Sequence, residues 1–335
     1  QQVANYDITA PIYVSYRTPF PGEPLGKDHP ELLTKLKPCP NHGHNQAIVN
    51  GISRIGYMKG GGKALWEDEN IADTIVAKTV RYITEHKDTT FFLYVGTNDI
   101  HVPRYPHSRF VGKSGMGYRG DAILQFDWTV GEIMKTLKEL EIADNTLIIL
   151  TSDNGPVIDD GYLDLAEELL GNHRPWGDMR GGKYSNFEAG TRVPFIVNWP
   201  DKIKPGVSNA LVSHIDLFAS MAELVGRHSK EDMVNDSRNQ LNVLLGKDTK
   251  GRDYIIEAAQ SLSVSTGEWK YIAPNNGISY YGLTRTETGN SSEEQLYNLY
   301  EDIGEGHNLA SEFPQKVKEL KELLEQEKKK GCTFD

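Results

Sequence analysis

Cysteine is scarce: the 335 residues hold two, Cys39 and Cys332, far apart and in no metal-binding or redox spacing. That excludes a scaffold built on several disulfides and a cysteine-held metal centre; two free thiols are expected, with a single disulfide as the alternative. Positive charge is in deficit. Lys and Arg number 36 against 47 Asp and Glu, for a net charge of -11. The chain therefore has no general attraction for nucleic acid or an anionic membrane, and an anionic ligand must meet a locally built positive field. Long apolar runs are missing too, so no segment is expected to cross a bilayer, and none reads as a signal peptide. Repeats and low-complexity stretches are absent. The opening Gln1-Gln2, in place of Met, reads as a processed chain or an excerpt of a longer one.

What is present is an α/β pattern. Residues 1–66 carry Pro11, Pro19, Pro21, Pro24, Pro38 and Pro40 with weak periodicity, which predicts irregular loops lying on a scaffold. Gly60-Gly61-Gly62-Lys63 matches no phosphate-loop spacing and reads as a plain loop. From Asn70, a candidate N-cap, residues Ile71, Ala72, Ile75, Val76, Val80 and Ile83 form one apolar helical face. Residues 91–96 then read as a buried strand. A second amphipathic helix follows, with Ile123, Phe126, Val130, Ile133, Leu137 and Leu140 on one side. Residues 146–151 are short, β-branched and apolar, as in a strand buried on both faces. A third strand is expected over 194–199 and a third helix over 214–225. The alternation predicts a layered α/β sheet with helices on both faces, spanning residues 1–247. Residues 248–335 read differently. Short strands near 254–258, 269–272 and 295–299 precede a helix opened by Pro314, lined by Val317, Leu320, Leu323 and Leu324, and ended by Gly331. That predicts a small antiparallel sheet under one covering helix.

Three features share the ends of these strands. Ser152-Asp153-Asn154-Gly155 delivers a carboxylate and a carboxamide together, both hard oxygen donors suited to Ca²⁺ or Mg²⁺, although Asp-Asn-Gly-Pro is also good turn chemistry. His101 follows the 91–96 segment, where an imidazole would donate a proton to a leaving oxygen near neutral pH; the alternative is a surface-loop His. Arg180-Gly181-Gly182-Lys183 lets backbone approach an anion while an ammonium supplies charge, or is an ordinary turn with an exposed Lys. Together they suit an ester with a polyanionic head group.

These residues, with Gly190-Thr191-Arg192-Val193-Pro194, Asp99-Ile100-His101-Val102-Pro103-Arg104, Leu296-Tyr297-Asn298-Leu299 and His307-Asn308-Leu309-Ala310, closely resemble the formylglycine-dependent (type I) sulfatases of the alkaline-phosphatase-like superfamily. The resemblance runs from about residue 54 to the end and is closest to bacterial members acting on sulfated glycans. It implies that Asp153 and Asn154 ligate one Ca²⁺, that Lys183 contacts the sulfate, and that His101 does so as general acid. It implies sulfate or sugar contacts for His173 and Arg174, and a sugar subsite lined by Arg104 and His107. It also implies a sulfated saccharide partner, no nucleic acid or membrane partner, and a periplasmic or secreted location.

One part of the family pattern is missing. The nucleophile motif, Cys/Ser-x-Pro/Ala-x-Arg, occurs nowhere in residues 1–335, and Cys39-Pro40-Asn41-His42-Gly43 lacks its Arg. The paired N-terminal aspartates and the Lys-x-His segment of the family are absent as well. The expectation is that an N-terminal portion of the same protein supplies them, and that this chain alone is catalytically incomplete. Two alternatives stand beside sulfatase: a phosphodiesterase or phosphonate hydrolase of the same superfamily, and a non-catalytic glycan-binding relative.

Overall fold

The computed structural model describes residues 12–40, 42–61, 65–227 and 236–330. They form two compact units. One comprises the described residues up to Ala143 with Ile158–His173; the other comprises Asp144–Val157 with the described residues from Arg174 onward.

The first unit opens with β1 (Ile12–Ser15), then the hairpin β2 (Ile48–Val49) and β3 (Ile52–Ser53), then β4 (Tyr57–Gly60), which pairs antiparallel with β1. The hairpin turns on Asn50 and Gly51, both at positive φ, as the tight connection requires. The proline-rich stretch is mainly irregular, but it is not only a surface drape. Leu36 and Ile52 are buried with Val102 and Tyr162 in one apolar cluster. Gly62 and Lys63, part of the expected glycine loop, lie outside the described residues.

Helix α1 (Ile71–His86) buries Ile71, Ala72, Val76 and Ile83, the face its periodicity predicts. Asn70 occupies the N-cap position without capping; its amide donates to Glu67 Oε2 instead. Helix α2 (Gly117–Glu139) begins earlier than expected, and its buried stripe includes Asp121, Gln125, Thr129 and Thr136, with Leu137. Ile123, Phe126, Val130 and Ile133 are half-buried. The helix turns its polar stripe inward because those side chains are satisfied there: Asp121 accepts the Gly112 and Ser114 N–H groups. The expected strand at 91–96 forms no ladder. Its chain alternates, leaving Phe92 76% and Tyr94 84% exposed.

In the second unit β5 (Ile148–Thr151) precedes the short helix α3 (Glu188–Thr191) and pairs antiparallel with β6 (Phe195–Asn198), register Thr151 to Phe195. Burial on both faces is not observed for β5: all four residues are half-buried, because among the described residues its sheet has two strands and no neighbour beyond them. Helices α4 (Asp216–Leu224) and α5 (Leu241–Leu244) follow. The chain ends in β7 (Ile255–Ala258), β8 (Leu262–Ser265), β9 (Trp269–Ile272), the small hairpin β10 (Tyr280–Tyr281) and β11 (Thr286–Glu287), β12 (Gln295–Asn298) and α6 (Pro314–Lys329). The sheet order β12-β9-β8-β7 is wholly antiparallel. Helix α6 covers it, packing Val317, Leu320 and Leu324 on Val264, Tyr271 and Leu296. This is the small sheet and covering helix that the sequence predicts. Gly331 and Cys332 lie outside the described residues; Cys39 is a free thiol, pushed up to about 12 by burial and the nearby Asp159.

Candidate active site

Within the second unit, three loops are drawn into backbone contact by residues that lack side chains. Thr151 ends β5 with its hydroxyl donating to Pro194 O at 2.9 Å and lying 2.8 Å from His214 Nε2, which fixes the exit of the strand. The next turn carries Asp153 and Asn154. Gly155 N donates to Gly190 O at 3.0 Å, and Lys183 N donates to Pro156 O at 2.9 Å. A Cβ on Gly155 would collide with the Ala189 carbonyl, and one on Gly182 would sit 2.6 Å from Pro156 O. The Asp-Asn-Gly turn, the Gly-Gly-Lys loop and α3 therefore approach as closely as they do only because those positions are glycine.

Asp153 is exposed and Asn154 half-buried. Asp153 Oδ1 accepts the Asn154 N–H at 3.0 Å, and Asn154 Nδ2 donates to Gly155 O at 2.9 Å, which leaves the amide oxygen as its outward acceptor. Both are hard oxygens at a strand end and suit a Ca²⁺ ligand shell. They are a partial shell. Among the described residues no group of three His, Cys, Asp or Glu side chains is placed to hold a metal, whereas the ion takes about six to eight oxygens. Lys183 is half-buried, with its ammonium 5.1 Å from the centroid of the Tyr184 ring.

In the first unit His101 is exposed, and its Nδ1 donates to Val102 O at 2.6 Å. It lines a cavity of about 40 Å³ with Arg54, Trp66, Asp68, Asn98 and Pro103. Arg54 is paired to Asp68 at 2.6 Å and lies over Trp66, while buried Asn98 Oδ1 has no partner. Gln125, which sequence reasoning missed, braces this loop from α2. Its amide nitrogen donates to both Asp99 oxygens at 3.1 and 3.3 Å, and its oxygen accepts the His107 N–H at 2.8 Å. Burial pushes the Asp99 carboxyl up to about 6, with Gln125 opposing. His107 lines a second cavity of about 170 Å³ beside Glu69, Tyr105 and Tyr118, whose two rings meet edge to face.

The other expected ligand-binding residues are placed differently. Arg104 is 3% exposed, with its guanidinium on Asp164 at 2.9 Å and Ile158 O at 2.8 Å. Its charge is spent inside the unit rather than presented to a sugar. His173 accepts a hydrogen bond from Arg119 at 3.2 Å, and burial plus that guanidinium lower its pKa, which favours neutral imidazole. Arg174 is exposed and pairs with Asp178 at 3.1 Å.

The second unit thus places a hard-oxygen pair and an ammonium on neighbouring loops of one glycine-drawn frame. Comparison with known proteins gives the family. The Sulfatase family model matches residues 25–227. The N-acetylgalactosamine-6-O-sulfatase of Bacteroides thetaiotaomicron is 53% identical over 325 residues, covering 96% of this chain and 63% of that protein. A structure solved in work on glycosaminoglycan metabolism by Bacteroides thetaiotaomicron has a TM-score of 0.91 at 53% identity, covering 95% of this chain and 66% of the other. The PsFucS1 sulfatase from Pseudoalteromonas sp. shares the fold, with a TM-score of 0.67 at 24% identity over 81% of this chain and 56% of its own. The chain belongs to the sulfatase family, in the alkaline-phosphatase-like superfamily. It spans about 63% of the length of its Bacteroides relative.

Proposed function

We propose that this chain provides the charge-stabilising and proton-donating part of an enzyme that hydrolyses sulfate esters on a sugar. The observation that carries the reading is the frame in which Gly155 and Gly182 bring the Asp153-Asn154 turn against the Lys183 loop. Asp153 and Asn154 would contribute two oxygens to a Ca²⁺ ion, which when bound draws charge from the sulfate oxygens. Lys183 would hold a sulfate oxygen and the ester oxygen as negative charge grows there. His101, with Nδ1 committed to Val102 O, would release a proton from Nε2 to the departing alcohol. The family's formylglycine supplies an oxygen nucleophile; no matching motif lies within residues 1–335.

The substrate would be a sulfated saccharide. The 53%-identical relative is a sulfatase of 6-sulfated N-acetylgalactosamine, and the cavity at His107, Tyr105 and Tyr118 offers aromatic faces and polar groups for one sugar ring. His173 and Arg174 would serve at the edge of the sugar or sulfate contacts. Such a substrate suits a periplasmic or secreted enzyme; no helix of the described residues is long and apolar enough to cross a membrane. The test is sulfate release by the full-length protein from N-acetylgalactosamine 6-sulfate, compared with phosphate release from the 6-phosphate. Selective sulfate release is expected; preference for the phosphate would overturn the reading.

A further inference from the structure

Behind the loop frame the second unit buries a charge cluster that the sulfate-ester reading does not use. Lys270 on β9 is 0% exposed. Its ammonium lies 2.9 Å from Glu188 and 2.9 Å from Glu257, and donates to Thr191 Oγ1 at 3.3 Å. Glu305, also 0% exposed, accepts the Glu188 N–H on Oε2 at 2.6 Å, while its Oε1 has no partner. Glu188 accepts a second cation, Arg192, at 2.5 Å. Helix α3 is thus held at its first N–H by Glu305 and at its last hydroxyl by Lys270. The same four-residue helix supplies Gly190 O to Gly155 N, and its Ala189 N–H bonds Arg180 O at the start of the Gly-Gly-Lys loop. Burying charge costs desolvation that an apolar patch would avoid. What the charges add is a fixed direction for each bond to α3.

We propose that Lys270 and Glu305 are positioning residues, fixing α3 and through it the Asp153-Asn154 turn and the Lys183 loop in the arrangement that turnover requires. This rests on the reading of those loops as metal- and sulfate-facing. The cluster is also proton-linked. The charged groups facing Glu305 are Lys270, Glu188 and Glu257, with Arg180 on its backbone carbonyl and the Tyr297 hydroxyl nearby. Burial alone would depress the Lys270 ammonium, but Glu257, Glu188 and Glu305 push it up. Burial pushes the Glu305 carboxyl up to about 8, against the pull of Lys270. With Glu305 protonated, Lys270 and Arg192 balance Glu188 and Glu257. Ionised, Glu305 adds a third carboxylate to the cluster with no cation to match it.

Lys270→Met and Glu305→Gln in the full-length protein test this, by steady-state kinetics on N-acetylgalactosamine 6-sulfate from neutral to alkaline pH and by thermal unfolding from about pH 4 to about pH 9. Lys270→Met is expected to lower kcat roughly 10- to 100-fold, as loss of outer-shell support does, with KM little changed. Glu305→Gln is expected to match wild type near neutrality and to hold kcat above pH 8, where wild type declines. A Lys270→Met protein that melts earlier yet keeps wild-type kcat overturns the proposal, as do coincident pH profiles for wild type and Glu305→Gln. If Lys270→Met does not fold, the Glu305→Gln profile decides. If the wild-type protein hydrolyses no sulfate ester, the functional reading has failed instead. The melting profiles then decide the charge cluster: a wild-type loss of stability relative to Glu305→Gln as pH rises from 4.5 to about 8, level above that, supports it, and a difference constant throughout overturns it.

Discussion

His101 shows how much a single residue's role depends on its neighbours. Val102 O accepts the hydrogen bond of Nδ1–H, so a protonated ring has its second proton on Nε2, the nitrogen suited to a leaving oxygen. Replacing His101 with Ala is expected to lower kcat by about 10²–10⁴-fold on a sugar sulfate, the usual range for a lost general acid. It should matter far less on an aryl sulfate, whose phenolate leaves without a proton. Equal losses on both substrates would argue against the role. Arg104 makes the contrasting point. The family resemblance implies that it lines a sugar subsite, but its partner Asp164 lies 60 residues downstream, and no local pattern shows that pairing. The Asp153-Asn154 turn and the Lys183 loop stand out in the sequence because each carries glycines that a close backbone approach demands. Gln125 and Lys270 were not, since polar residues on a helix or strand normally read as its wet side.

At the scale of elements, the loop frame is a matter of backbone clearance. Gly155→Ala would push a methyl group into the Ala189 carbonyl, an overpacking worth about 1–3 kcal/mol, and would part the turn from α3. Urea unfolding should show that loss together with a fall in kcat; an unchanged midpoint would mean the turn yields freely. Helix α1 was legible from its 3.6-residue apolar period, and α6 from its proline start and leucine stripe. Helix α2 was only half so, because its buried stripe carries Asp121 and Gln125, whose bonds to neighbouring loops no periodicity displays. Residues 91–96 have the composition of a buried strand, but composition cannot supply the partner that makes a ladder. Strand β8 escaped notice because only Leu262 and Val264 alternate with two serines that are buried all the same.

For the whole molecule, composition sets the problem: an acidic chain must concentrate cations wherever it meets an anion. The small C-terminal sheet with its helix was legible as an arrangement, since a change from long apolar elements to short polar-bounded strands marks it; it belongs, however, to the second compact unit with residues 144–157 and those from Arg174 onward. The proton-linked interior was not. Asp99, pushed up to about 6 by burial, keeps its proton in the folded chain at pH values where the unfolded chain has released it. Its contribution to stability is therefore present below the ordinary carboxylate pKa and is lost as pH rises from about 4 to 6. Asp99→Asn removes that titration. Urea midpoints across this window should show wild type losing stability relative to Asp99→Asn, with the difference level above it; a difference constant throughout would place Asp99 in a solvated setting.

In the proposed reaction the Lys183 ammonium, held by the glycine-drawn frame, stabilises charge on a sulfate ester. The most direct measurement is sulfate release from N-acetylgalactosamine 6-sulfate by full-length wild-type and Lys183→Ala protein at saturating Ca²⁺. A loss in kcat of about 10²–10³-fold is expected, the scale of a removed transition-state contact, with the melting temperature unchanged. A Lys183→Ala protein that is folded and turns over at the wild-type rate would contradict it.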